Sequence, residues 1–254
     1  MAQFTFDFYS EVLRLQMPVT MILPVFSTQK TNQESPKLKT LWLLHGGGGN
    51  NTDYIRNTLI EKCAMEHNLA VVMPSVGNSF YHDINESQRF YTYMTEELPE
   101  VMRRYFPLSA EREDNFIAGL SMGGFGAAKI AFTHPERFAA VGLMSTGPMG
   151  LHQLLEAMNV KQDIVVQSVF GDLAKIPGSE NDIWYLLEQA VKEKKVLPRI
   201  YNCCGTEDFT YGFFKKFREF AKDFPLDITY AEGPGEHNWD FWAEYLLKIV
   251  DWML

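Results

Sequence analysis

Asn115-Phe116-Ile117-Ala118-Gly119-Leu120-Ser121-Met122-Gly123-Gly124-Phe125-Gly126-Ala127-Ala128 joins an apolar run to a helix-like run through a serine set among glycines. Phe116-Ile117-Ala118 is a short apolar run that reads as a buried strand, and Phe125 to Phe132 is compatible with a helix. Between them, Gly119-Leu120-Ser121-Met122-Gly123 fits the pattern G-x-S-x-G. A serine on a tight strand-to-helix turn projects its hydroxyl away from the sheet, and its backbone is expected at positive φ. The neighbours must then be small, and glycines two before and two after the serine supply the room. Gly124 and Gly126 are expected to let the following helix pack close to the sheet. The N-terminus of that helix aims N–H groups and the positive end of its dipole at the turn, where an oxyanion would form. A glycine-rich turn with an incidental serine would show the same five residues. The flanking strand and helix favour the functional reading.

Upstream, Thr40-Leu41-Trp42-Leu43-Leu44 is a continuous apolar run, as a strand buried on both faces should be. It ends in His45-Gly46-Gly47-Gly48-Gly49-Asn50-Asn51, where the bare backbone could approach a ligand as one half of an oxyanion hole. A flexible turn is the alternative. No Gly-Lys-Ser/Thr follows, which excludes a P-loop, and no well-placed acidic residue supports a dinucleotide fingerprint. Further upstream, the period-2 apolar pattern of residues 3–26 predicts antiparallel strands at a sheet edge, and Thr28 to Lys39 reads as an exposed loop. Tyr54 to His67 reads as a helix, Leu69 to Pro74 as a buried strand, Ser75 to Tyr91 as a loop with His82 and Asp83 exposed in it, and Tyr93 to Phe106 as an amphipathic helix.

Downstream, Phe138 to Met144 and Arg199 to Cys204 read as strands, with Ile228-Thr229-Tyr230 as the last one. Between the first two, residues 145–195 are irregular: helical segments around Leu151–Met158, a short strand Ile164–Val169, and a helix near Ile183–Val191. This stretch is expected to form a short cap over the site within a single domain spanning 1–254. Phe213 to Phe224 and Phe241 to Trp252 read as helices. Strands alternating with helices at this spacing mean an α/β protein with a mostly parallel, doubly wound central sheet.

The 254 residues are 46% hydrophobic and 22% charged, enough chain for one large core. A net charge of −9 argues against a nucleic-acid partner, whose footprint is basic. The three cysteines, Cys63, Cys203 and Cys204, are odd in number and two are adjacent, so a disulfide framework is not expected. Neither CxxC nor HxxxH occurs, so no metal and no other cofactor is expected. The N-terminus has no basic stretch followed by a long apolar one, and no later stretch is long enough to span a membrane. The expected location is the cytoplasm, and a homo-oligomer remains compatible with the sequence.

Ser121, Asp208 and His237 all stand in loops directly after predicted strands, where ligands gather in such sheets. A serine hydroxyl needs a base to become a useful nucleophile, histidine titrates nearest neutrality, and a carboxylate orients the imidazole. His237 stands out among six histidines because it lies among glycines in the last strand-to-helix loop. Asp172 competes with Asp208 for the acid. Asp208 is preferred because it follows the strand just before the one that leads to His237. Glu207 is expected to point elsewhere, and Cys203 and Cys204 to be small core residues.

Leu44-His45-Gly46-Gly47-Gly48-Gly49, Gly119-Leu120-Ser121-Met122-Gly123-Gly124-Phe125-Gly126-Ala127, Gly205-Thr206-Glu207-Asp208-Phe209 and Gly233-Pro234-Gly235-Glu236-His237-Asn238-Trp239 together resemble the esterase D family of α/β-hydrolases. Within it, the pattern is most similar to the small bacterial tributyrin esterases. The resemblance implies an α/β-hydrolase fold and a carboxylesterase acting on short acyl esters. It implies Ser121 as nucleophile, His237 as base and Asp208 as orienter. It also implies an oxyanion hole from the N–H of Met122 and of Gly47, with Gly46 the alternative, and Trp239 as a substrate contact. S-formylglutathione hydrolases of the same family usually carry cysteine and threonine where Gly48 to Asn51 stand here, which argues against a glutathione thioester. The His237-Asn238-Trp239 pattern is shared with the feruloyl and siderophore branches. An acyltransferase with the same residues and an inactive binding module of the same fold are the remaining alternatives.

Overall fold

The computed structural model of the chain describes residues 1–24, 37–146 and 164–254. Its strands form one eight-stranded sheet in the order β1-β2-β4-β3-β5-β6-β7-β8. β1 (Ala2–Ser10) and β2 (Leu15–Leu23) pair antiparallel at one edge, and β2 runs antiparallel to β4 (Ala70–Pro74). From β4 onward, through β3 (Thr40–Leu44), β5 (Asn115–Leu120), β6 (Ala140–Met144), β7 (Arg199–Gly205) and β8 (Ile228–Gly233), every pairing is parallel. The antiparallel edge and the parallel body agree with the period-2 pattern of residues 3–26 and the unbroken apolar runs after it.

The central strands β3, β4, β5 and β6 are buried at every residue because helices cover both faces. Successive side chains alternate between two cores. Leu41 and Leu43 face one with Tyr54, Tyr245 and Ile249, whereas Trp42 and Leu44 face the other with Tyr81, Phe132 and Phe217. The helices are α1 (Asp53–Asn57), α2 (Ile60–Glu66), α3 (Phe90–Thr92), α4 (Leu98–Tyr105), α5 (Met122–Thr133), α6 (Ile164–Phe170), α7 (Ile183–Lys192), α8 (Tyr211–Ala221) and α9 (Trp239–Met253). After β3 the chain first lays β4 on one side and then β5 on the other. This reversal opens a crevice at the C-terminal ends of β3 and β5, the place where α/β sheets bind ligands.

Several local expectations are corrected. The single helix expected over 54–67 is two, because Thr58 is extended and its hydroxyl donates to the Tyr54 carbonyl at 2.6 Å. Leu59, at helical spacing between Ile55 and Cys63, is exposed. The helix expected from Tyr93 starts at Phe90 and runs through a π-helical turn, Tyr93–Glu97, into α4. The strand expected over 164–169 is the helix α6. β6 pairs directly with β7, so no place in the sheet remains between them, and Val166 and Val169 bury one helical face instead. The helical segments expected around Leu151–Met158, and with them residues 147–163 of the expected cap, lie outside the described residues.

His82 and Asp83 are not exposed loop residues. The His82 ring stacks on Phe170 with 5.6 Å between centroids, and its Nδ1 is 3.3 Å from Lys129 Nζ. Lys129, buried on α5, also donates to Asn181 Oδ1 at 2.7 Å. Burial and then the Lys129 ammonium push His82 down to about 4, so a neutral imidazole accepts from the lysine. Burial pushes Lys129 itself down to about 8. Asp83 accepts from the Thr92 N–H and hydroxyl. This cluster ties α6 and the start of α7 to α5.

Candidate active site

Ser121 follows β5 and precedes α5, with φ of 51° and ψ of −120°. The positive φ expected for a serine on a tight turn is therefore present. The turn is held at three points: the Ser121 N–H donates to Met144 O, and the Ser121 carbonyl accepts from the Thr146 hydroxyl and the Phe125 N–H. Its glycines are required by contact. A Cβ on Gly119 would sit 2.3 Å from the Gly123 carbonyl, and one on Gly123 would sit 2.1 Å from Leu44 O. Gly124 packs on Thr146, as a helix close to the sheet requires. Gly126 does something else, since a Cβ there would meet the ring of Tyr81 at 2.4 Å. Tyr81 is buried at the back of the glycine loop, and its hydroxyl donates to His45 O.

Asp208 and His237 are brought to the same edge by the parallel pairing of β7 with β8. Their two loops are cross-tied. Thr206 N–H donates to Gly233 O, Glu207 N–H to Gly235 O, and Gly235 N–H to Glu207 Oε2 at 2.6 Å. Glu207 thus points away from His237, as expected, and latches the loop that carries it. Its carboxyl is held below the usual range, first by the Gly235 N–H. Gly205 and Gly235 touch where a Cβ on Gly205 would be 2.1 Å from Gly235 O.

The three side chains form one hydrogen-bonded chain. His237 Nε2 is 3.0 Å from Ser121 Oγ, and His237 Nδ1 lies 3.0 and 2.9 Å from the two Asp208 oxygens. An ionised carboxylate only accepts, so the proton sits on Nδ1 and Nε2 accepts from the serine hydroxyl. Asp208 also accepts from the Thr210 N–H and hydroxyl, both at 2.7 Å. Burial pushes its carboxyl up, but the bonds from His237 and Thr210 outweigh this and hold it below the usual range. Asp208 is fully buried, whereas His237 keeps partial access to solvent. The competing acid Asp172 instead caps the 3₁₀ turn Leu173–Lys175 by accepting from the Ala174 N–H.

The glycine loop after β3 lies against this chain, with a Cβ placed on Gly46 only 3.6 Å from Ser121 Cβ. His45 was not singled out by sequence reading, yet it sets this loop. Its buried ring accepts from the Val76 N–H at Nε2 and donates from Nδ1 to Gly46 O at 2.8 Å. Burial lowers its pKa, which keeps the imidazole neutral for that double role. The Gly48 N–H is taken by Asn78 Oδ1 and the Gly49 N–H by Gly46 O, so neither can serve a substrate. The N–H groups of Gly46 and Gly47 lie outside these bonds. Met122 opens α5, where helix geometry leaves its N–H without an intrahelical partner.

Trp239, expected as a substrate contact, stands edge-on to Tyr54 and Trp242. The Trp242 ring in turn lies edge-on to His237, with 4.9 Å between centroids, and its Nε1 donates to Ser145 Oγ. Trp239 thus packs on the ring that flanks the imidazole. The aromatic that does lie against His237 and is exposed is Phe209, 4.3 Å away centroid to centroid. The run of aromatics over 209–217, suited to a pocket or an interface, is the sequence signal for it.

A protein-family model described as "Putative esterase" matches residues 10–253. The chain belongs to this esterase family. An acetyl esterase of Caldicellulosiruptor saccharolyticus is 34% identical over all of this chain and 98% of its own length. Two solved structures from Staphylococcus aureus are each 33% identical and cover 99% of this chain and 98% of their own. One is the fluorophosphonate-binding serine hydrolase FphF with substrate bound, at a TM-score of 0.92. The other is the S-formylglutathione hydrolase FrmB, at a TM-score of 0.90. Membership in the esterase family implies small-molecule esters as substrates. Among the described residues, no helix is long and apolar enough to cross a membrane.

Proposed function

We propose that this esterase is a serine carboxylesterase that cleaves short-chain acyl esters through an acyl-enzyme, a member of the esterase D group with tributyrin-type or acetylated carbohydrate substrates. The observation that carries this reading is the unbroken hydrogen-bond chain from Ser121 Oγ through His237 to the buried Asp208. In it, Ser121 Oγ attacks the ester carbonyl while His237 Nε2 takes its proton. The negative oxygen that develops is received by the N–H groups of Met122 and Gly47, with Gly46 as the alternative donor. His237, oriented and balanced by Asp208, then protonates the leaving alkoxide, and a water activated by the same nitrogen releases the acyl group. The whole chain, 1–254, acts as one domain in this reading, with a short cap drawn from 145–195 limiting the acyl group.

A series of p-nitrophenyl esters from acetyl to decanoyl tests the substrate class. The expected kcat/KM peaks at two to four acyl carbons, and faster turnover of the long esters contradicts a narrow acyl site. The relative named S-formylglutathione hydrolase, as similar as FphF, favours one second reading, hydrolysis of a formyl thioester. It predicts that S-formylglutathione is turned over with a higher kcat/KM than any ester of the series.

A further inference from the structure

Far from Ser121, at the N-terminal edge of the parallel strands, Cys63, His67 and Asp251 converge. Cys63 and His67 lie four residues apart at the end of α2, so helix geometry stacks them on one face. Asp251 comes from the last turn of α9. One donor atom from each of the three lies within 4.8 Å of the other two. We propose that Cys63 Sγ, the His67 imidazole and the Asp251 carboxylate form a binding site for a thiophilic divalent cation, zinc above all, that pins α2 to α9.

The donor set suits that ion. Zinc takes thiolate, imidazole and carboxylate ligands in tetrahedral geometry with bonds of about 2.0–2.3 Å, which puts ligand atoms roughly 3.3–3.8 Å apart. His67 Nε2 and Asp251 Oδ1 are now 2.8 Å apart in a hydrogen bond, so that pair would open by about 0.5 Å while the thiol closes in, with water as fourth ligand. The thiol gives up its proton to solvent as the sulfur–metal bond forms, the proton that His67 Nε2 now donates to Asp251 leaves that nitrogen while the neutral imidazole takes one up at Nδ1, and nothing is oxidised or reduced.

A second observation concerns the local field. The carbonyl ends of α2 and α9 meet here, and neither helix has a basic residue in its last turn. Each carries an acid there instead, Glu66 and Asp251, against the usual preference for cations at this end. Lys37 and Lys39 line the adjoining cavity of about 470 Å³ together with His67 and Asp251. Among the described residues neither lysine is ion-paired to Asp251, which pairs with His67.

The test is titration of the full chain, reduced with a phosphine, with Co²⁺ and then Zn²⁺. A cobalt–thiolate charge-transfer band should saturate at one ion per chain and be displaced by Zn²⁺. At a hundredfold excess over its dissociation constant, Zn²⁺ should raise the melting temperature by about 5 °C or more. The band should vanish in Cys63→Ser. Asp251→Asn, an exposed position that tests the site even if Cys63→Ser fails to fold, should weaken Co²⁺ binding by about tenfold or more. Ester hydrolysis should be unchanged in both folded variants. Absence of the band in the wild type, its persistence in Cys63→Ser, or equal affinity in Asp251→Asn overturns the proposal.

Discussion

Ser121→Ala is expected to lower kcat on p-nitrophenyl butyrate by roughly 10⁵- to 10⁶-fold and to change stability by less than about 1 kcal/mol. The substitution keeps the Cβ, and the turn is held by backbone groups of Ser121 that alanine retains: its N–H on Met144 O and its carbonyl under Thr146 and Phe125. Only Oγ is lost, and with it the atom 3.0 Å from His237 Nε2. Steady-state kinetics and a thermal melt on the same preparation separate the two effects. Activity within tenfold of wild type in a folded Ser121→Ala protein contradicts the assignment of Ser121 as nucleophile.

Gly123→Ala is the second large effect, and it strikes stability as well as activity. The new methyl would lie 2.1 Å from Leu44 O and 2.6 Å from His45 O, and both are backbone atoms that no rotamer change can move. Relief requires the start of α5 to move off the end of β3. That motion separates the Met122 N–H from the glycine loop, the two sides proposed to receive the oxyanion. The expected cost is about 3 kcal/mol or more, seen as a fall of roughly 6–12 °C in melting temperature. In whatever fraction folds, kcat should drop by on the order of 10²- to 10³-fold, as for loss of an oxyanion donor. By contrast, Gly47 has open space where a Cβ would stand, so Gly47→Ala should cost little stability. A Gly123→Ala protein with wild-type melting temperature and rate contradicts this account of the close approach.

The succession of strands along the chain and the loops bearing Ser121, Asp208 and His237 were legible because each depends on local pattern. An unbroken apolar run marks a doubly covered strand, and the residues just after it fall at the crevice edge. What was not legible depended on partners distant in sequence. Ile164 to Phe170 is rich in β-branched residues, and only the direct pairing of β6 with β7 shows why it cannot be a strand. His82 reads as polar and exposed until Lys129 and Phe170, 47 and 88 residues on, are seen to enclose it. His45 and Glu207 follow the same rule. Each orients a loop of the site through hydrogen bonds whose acceptors or donors, Val76 and Gly235, no spacing in the sequence predicts. Gly126 shows the limit of assigning a role by residue type, since it accommodates an aromatic ring and not the sheet.

The most direct test of the central claim is covalent labelling with a fluorophosphonate followed by peptide mass mapping. An activated serine displaces fluoride from phosphorus and keeps the phosphonyl group, whereas an ordinary hydroxyl does not react at a comparable rate. One adduct per chain on the peptide containing Ser121, with esterase activity lost in proportion to labelling, is the predicted result. Labelling at another residue, or full activity in protein quantitatively modified at Ser121, would contradict it.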